Sequence, residues 1–144
     1  MLNIELLEDR LNQIRVSAKR LERMKVMSLD EFLANPDNFA VAEHHLRRSL
    51  EALFDIGRHI AAKEGFGKPD KYRDVIRILG QSGVLQPEFS KRIEGMAGYR
   101  NRLVHGYSMV SPREIYEIIK TRLDDFAVYC SSISTFIEQR GEFR

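Results

Sequence analysis

The side chains whose types and spacing could do chemistry lie together in the stretch Gly98-Tyr99-Arg100-Asn101-Arg102-Leu103-Val104-His105-Gly106-Tyr107. A guanidinium stabilises charge growing on a phosphate, and an imidazole exchanges a proton near neutral pH. Read as a helix at about 100° per residue, Ile93, Met96, Ala97, Leu103 and Val104 gather on one apolar face, with Arg100 near its middle. Arg102 points roughly the opposite way, toward solvent. Asn101 and His105, one turn apart, share the edge of the apolar face and can act on one ligand. Gly106 suits a left-handed helix end, and Tyr107 lies just past it. A lone buried charge is costly, so Arg100 is either ion-paired inside a helical bundle or kept for function. His105 taken alone also suits a satisfied helix-end histidine.

RNA contains its own nucleophile, the 2′-hydroxyl. For cleavage at its phosphate, His105 suits the proton-transfer role, Arg100 the charge-stabilising role, and Asn101 can orient the phosphate or the imidazole. Since each chain offers one candidate acid/base, two copies facing each other would supply both the acid and the base. Elsewhere the chemistry is thinner. His44 and His45 are adjacent and diverge by about 100° on a helix, which makes them a poor metal pair. Asp55 and His59, one turn apart, can meet each other, and Asp55 is also a plausible carboxylate for Arg100. Cys130 is alone, so it has no internal disulfide partner, and it lies where a small apolar residue would serve equally well.

The elements that must position these residues are helices. Asn3 caps a first long helix to about Val26, with Ile4, Leu7, Leu11, Ile14, Ala18 and Leu21 at three- and four-residue spacing. Ser28-Leu29-Asp30-Glu31 is a capping box opening a short helical turn that ends before Asn35-Pro36. A second long helix runs from near Asp37 to about Glu64, with Leu46, Leu50, Leu53, Gly57 and Ile60 inward. After Pro69-Asp70 a short helix spans Tyr72 to about Gln81. Pro87 opens the helix that carries the central stretch, whose Gly95 and Gly98 imply either weak helix or, the favoured reading, close approach of a neighbouring backbone, in this chain or a second copy. Ser111-Pro112-Arg113-Glu114 caps a last helix continuing to about Gln139. The expectation is all-α, an antiparallel bundle of about five helices forming one domain over residues 1–144.

The 144 residues suffice for one real core, and 43% hydrophobic with 31% charged residues, 9 glycines and 4 prolines favours a helical globular chain. The net charge of +2 permits RNA contacts without demanding them. No apolar run approaches membrane-spanning length, and the opening Met1-Leu2-Asn3-Ile4-Glu5 has no basic region followed by an apolar stretch, so the chain is expected in the cytoplasm and away from membranes. No phosphate-binding glycine loop and no Cys/His metal cluster stands out, and no cofactor is expected.

Arg100-x-x-x-x-His105-x-Tyr107 resembles the Arg-x4-His-x-Tyr motif of the HepT-like toxins in the HEPN superfamily. Ser28 to Leu33, the Asp55-Ile56-Gly57-x-His59-Ile60 stretch and the Arg-Asn-x-x-Val-His core occur in the order that family shows, so the likeness covers nearly the whole chain. The resemblance implies a HEPN-like homodimeric, metal-independent endoribonuclease, the toxin of a type VII-like toxin-antitoxin pair. Its partner would be a minimal nucleotidyltransferase antitoxin that transfers AMP to a tyrosine. Carried over residue by residue, Arg100 and His105 are catalytic, Asn101 is the polar residue beside the arginine, Asp55 is supporting, and Tyr107 is the modified residue. Two other classes fit the same side chains: a non-catalytic nucleotide-binding or partner-docking module, and a plain helical dimerisation domain with a structural Arg100.

Overall fold

The computed structural model describes residues 1–105 and 110–141, and of His105 the backbone alone. Eight helices make up the described residues: α1 Ile4–Lys25, α2 Leu29–Ala34, α3 Pro36–Lys63, α4 Tyr72–Gln81, α5 Pro87–Ile93, α6 Met96–His105, α7 Pro112–Thr121 and α8 Leu123–Gly141. No strand occurs among those residues.

Local chemistry sets the starts of these helices. The Asn3 side chain accepts from the Leu6 N–H, and Ser28 and Glu31 exchange reciprocal bonds of 3.1 Å each at the start of α2. Asn35 caps α3, where Pro36 occupies the first turn and lacks a donor that would be unsatisfied there anyway. Past Lys63 and the cap residue Glu64, Gly65 turns the chain with a φ of 69°, a conformation that favours a residue without Cβ.

Packing follows from the apolar faces. Leu46, Leu50, Leu53, Gly57 and Ile60 of α3 are all buried, as are Leu7, Leu11, Ile14 and Leu21 of α1. Three contacts fix α1 antiparallel to α3: Asn3 N–H to His59 Nε2, Arg10 to Asp55, and Ser17 Oγ to His45 Nδ1. α8 lies parallel to α3, because Tyr129 donates to the Leu53 carbonyl at 2.7 Å and Arg140 pairs with Glu64 further along both helices. Val75 and Leu79 of α4 close over Gly57, where an added Cβ would fall 2.5 Å from Val75 Cγ1.

The two helices expected to run unbroken through the second half are each divided. The helix opened by Pro87 stops at Ile93 and restarts at Met96, leaving Glu94 and Gly95 between α5 and α6. Glycine resists helix, and Glu94 is drawn to Arg77 of α4 by a 2.7 Å bond. The last helix breaks at Arg122, whose φ of −122° is not helical. Arg92 before the first break and Arg122 at the second converge on Asp125, a carboxylate only 3% exposed, at 2.8 and 3.5 Å. These divisions, with the short α2, account for eight helices where about five were expected.

Among the described residues no backbone approaches Gly95 or Gly98, since a Cβ at either would meet nothing within 4 Å. Inside the chain, close approach belongs instead to Gly57, and to Gly80 against Ser90.

Candidate functional site

α6 lies against α3 and α4. Met96 and Ala97 anchor its first turn in the core, but Leu103 is only half-buried and Val104 is 37% exposed, so the apolar face expected to continue through Val104 does not. A cavity of about 40 Å³ lies under the first turn, lined by Leu50, Met96, Tyr99, Phe126 and Asp125.

Arg100 is half-buried and has no carboxylate partner among the described residues. Its guanidinium carbon stands 4.1 Å from the centroid of the Tyr72 ring, at the start of α4, and its buried Nε makes no hydrogen bond. Asp55, the carboxylate considered for it, is taken by Arg10 Nε at 3.1 Å, and Arg10 also holds Asp9 at 2.6 Å. The antiparallel register of α1 on α3 explains this choice, because it sets Arg10 beside Asp55. Asp55 and His59 do not meet either: the Asn3 N–H donates to His59 Nε2 at 2.9 Å. Burial first, then Lys63 and the chain N-terminus, lower the His59 pKa and favour the neutral ring that can accept this bond.

Arg102 is not the solvent-directed side chain its position implied. It grips Glu114 through both terminal nitrogens, at 2.9 Å each, and so ties α6 to the first turn of α7. That fork raises the pKa of Arg102 and lowers that of Glu114. Asn101 is exposed, and His105 is the last residue of α6. The expected helix end at Gly106 and the modified residue Tyr107 lie outside the described residues, as does the His105 side chain.

Two members of the site escaped sequence reasoning. Tyr72 read only as the first residue of a short helix, and Arg58 as an unassigned position within Asp55 to Ile60. In the fold the Arg58 guanidinium carbon is 4.3 Å from the same Tyr72 centroid, while Phe54 meets that ring edge-on at 5.0 Å. Nothing in their spacing signals this, because α3, α4 and α6 meet only in the folded chain. Among the described residues no group of three or more His, Cys, Asp or Glu is placed to hold a metal.

A helical bundle with Arg100, Asn101 and His105 on one helix has the fold of the HEPN toxins. It superposes with a TM-score of 0.81 on the tri-AMPylated HEPN toxin of Shewanella oneidensis solved in complex with its MNT antitoxin, at 23% identity over 94% of this chain and 99% of that one. It also superposes on YutE of Bacillus subtilis, a cytosolic protein of unknown function, with a TM-score of 0.83 at 16% identity, over 96% and 93% of the two chains. Those identities establish the fold alone. In sequence, the family described as Ribonuclease HepT-like matches residues 14–133. The tRNA nuclease HepT of Aphanizomenon flos-aquae is 31% identical over 139 residues, 95% of each chain. The mRNA nuclease HepT of Shewanella oneidensis is 29% identical over 89 residues, 62% of this chain and 67% of that one. The chain belongs to the HepT-like ribonuclease family.

Proposed function

We propose that this chain is the endoribonuclease toxin of a toxin-antitoxin pair: one HEPN-like domain over residues 1–144 that acts in the cytoplasm as a homodimer and cleaves RNA without a metal. The observation that carries this reading is the state of Arg100, a half-buried cation stacked on Tyr72 with no carboxylate partner among the described residues. A structural arginine in a bundle would be ion-paired. An arginine kept for a phosphate keeps donors free.

The chemistry then runs on the chain's own side chains. A neutral His105 imidazole takes the proton of the 2′-hydroxyl, and O2′ attacks the adjacent phosphorus. The P–O5′ bond breaks, and the departing oxygen receives a proton from the imidazolium of the second copy. Arg100 stabilises the charge that accumulates on the phosphoryl oxygens, and Asn101 orients the phosphate. The products are a 2′,3′-cyclic phosphate and a 5′-hydroxyl. Asp55 supports the site at one remove, through the Arg10 bridge that holds α1 on α3.

The toxins of known structure include one that is AMP-modified and bound to its MNT antitoxin. By the same logic a minimal nucleotidyltransferase silences this chain by placing AMP on Tyr107. The added group would bring bulk and negative charge two residues along the chain from His105, opposing the approach of RNA phosphates.

Purified protein should cleave RNA in excess chelator and leave cyclic-phosphate ends, and Arg100→Ala and His105→Ala should each abolish cleavage. A strict magnesium requirement, or nucleotide binding without turnover, overturns the reading. Co-expression with a cognate minimal nucleotidyltransferase should add AMP to the wild-type chain and none to Tyr107→Phe, as read by intact mass.

A further inference from the structure

Two guanidinium groups share one aromatic ring in this fold. Arg58 of α3 and Arg100 of α6 place their central carbons 4.3 and 4.1 Å from the Tyr72 centroid, and Phe54 fixes that ring from its edge at 5.0 Å. Two nearby acids are engaged elsewhere: Asp55, one turn before Arg58, by Arg10, and Asp74, two residues after Tyr72, by the Lys71 N–H and by Arg77. Like charges gathered at one ring repel each other unless an anion joins them. Arg58 is exposed and Arg100 half-buried, and among the described residues neither is in an ion pair, so incoming phosphates would displace none.

Resting on the ribonuclease reading above, we propose that Arg58 is a second substrate-binding cation, which holds an RNA backbone phosphate next to the one engaged by Arg100, and that Tyr72 is the positioning residue that orients both guanidinium planes. The quadrupole of the ring attracts each cation without consuming a hydrogen-bond donor, whereas a carboxylate would occupy the fork and neutralise it. The planar, five-donor guanidinium suits two neighbouring phosphates better than an ammonium does, and stacking restricts where those donors point.

The test is the salt dependence of binding of a fluorescent single-stranded RNA to the chain with His105→Ala, which prevents cleavage during the titration, together with cleavage kinetics in the wild-type background. Each phosphate contact contributes about 0.7 to the slope of log K against log salt on single-stranded RNA. Arg58→Ala should therefore flatten the slope by about 0.7 and raise KM more than it lowers kcat, while Arg58→Lys restores the slope. Tyr72→Leu should lower kcat by roughly tenfold or more, since a misplaced stabilising cation weakens the transition state, and Tyr72→Phe, which keeps the ring, should retain it. Thermal melts accompany each variant. If Tyr72→Leu does not fold, the two Arg58 variants and Tyr72→Phe still decide.

If the wild type cleaves RNA while Arg58→Ala leaves slope and KM unchanged, the second cation is refuted and the ribonuclease reading survives. Loss of kcat in Tyr72→Phe equal to that in Tyr72→Leu refutes the positioning role. A wild type that neither binds nor cleaves RNA overturns both.

Discussion

At the scale of single residues, two arginines two positions apart have separate tasks. Arg100 stacks on an aromatic ring and has no carboxylate partner among the described residues, whereas Arg102 forms a two-bond fork with Glu114. Arg100→Ala should abolish RNA cleavage with little change in melting temperature. Arg102→Ala should loosen α6 from α7, lower the melting temperature, and leave measurable cleavage below it. Equal loss of activity in two well-folded variants would refute the division. The histidines make a pH prediction. His45 has its pKa lowered by burial and then by His44, Arg20 and Arg48, and His59 by burial, Lys63 and the N-terminus, both from an ordinary 6.5. The folded chain therefore resists protonation that the unfolded chain accepts. Stability is fully present above about pH 6.5 and is lost as the pH falls through the lowered folded values. Melting temperature should fall between pH 7.5 and 5, and a His45→Gln, His59→Gln double variant should fall less over that range. Parallel pH curves would refute the assignment.

At the scale of elements, the glycines separate by what surrounds them. At Gly57 a methyl group would strike Val75 across the α3–α4 contact, so Gly57→Ala should destabilise by about 1–3 kcal/mol through overpacking. Gly98 is helical and exposed, with nothing within 4 Å. Gly98→Ala should stabilise the isolated chain by about 0.5–1 kcal/mol through helix propensity alone. Chemical denaturation of both variants measures the contrast, and destabilisation of the monomer by Gly98→Ala would refute the propensity argument. The divisions at Gly95 and Arg122 follow the same physics at larger size: Arg92 and Arg122 compensate the buried Asp125 only if both helices bend to bring them there.

At the scale of the molecule, the proposed reaction has one candidate acid/base per chain, His105, so in the proposed homodimer acid and base would be shared between two copies. If a productive site needs both, a dimer with one His105→Ala subunit is inactive. An equal, freely exchanging mixture of wild type and His105→Ala should then retain about a quarter of the wild-type activity, against about half if each subunit acts alone. The proposed homodimer gives Gly98 a second meaning. Where two α6 helices face each other, its bare backbone admits the neighbour closely. Gly98→Ala should then weaken the dimer in sedimentation while stabilising the monomer. No helix among the described residues is long and apolar enough to cross a membrane.

The sequence by itself determined what depends on near neighbours along the chain. The Asn3 and Ser28 caps, the inward stripes of α1 and α3, the span Tyr72–Gln81 and the candidate stretch on α6 follow from spacing of three and four residues, because side chains so spaced share one helix face whatever packs beyond it. Only the tertiary structure decided partners. Asp55 could pair with Arg100 by residue type, yet the register of α1 on α3 gives it to Arg10. Arg100 found an aromatic ring on α4, Arg102 found Glu114, and Arg58 joined the site with no local mark of its role. A charged side chain settles on the counter-group that packing brings within reach, and in a bundle of helices that group comes from another element. Its identity is therefore fixed by three-dimensional register, which local spacing does not encode.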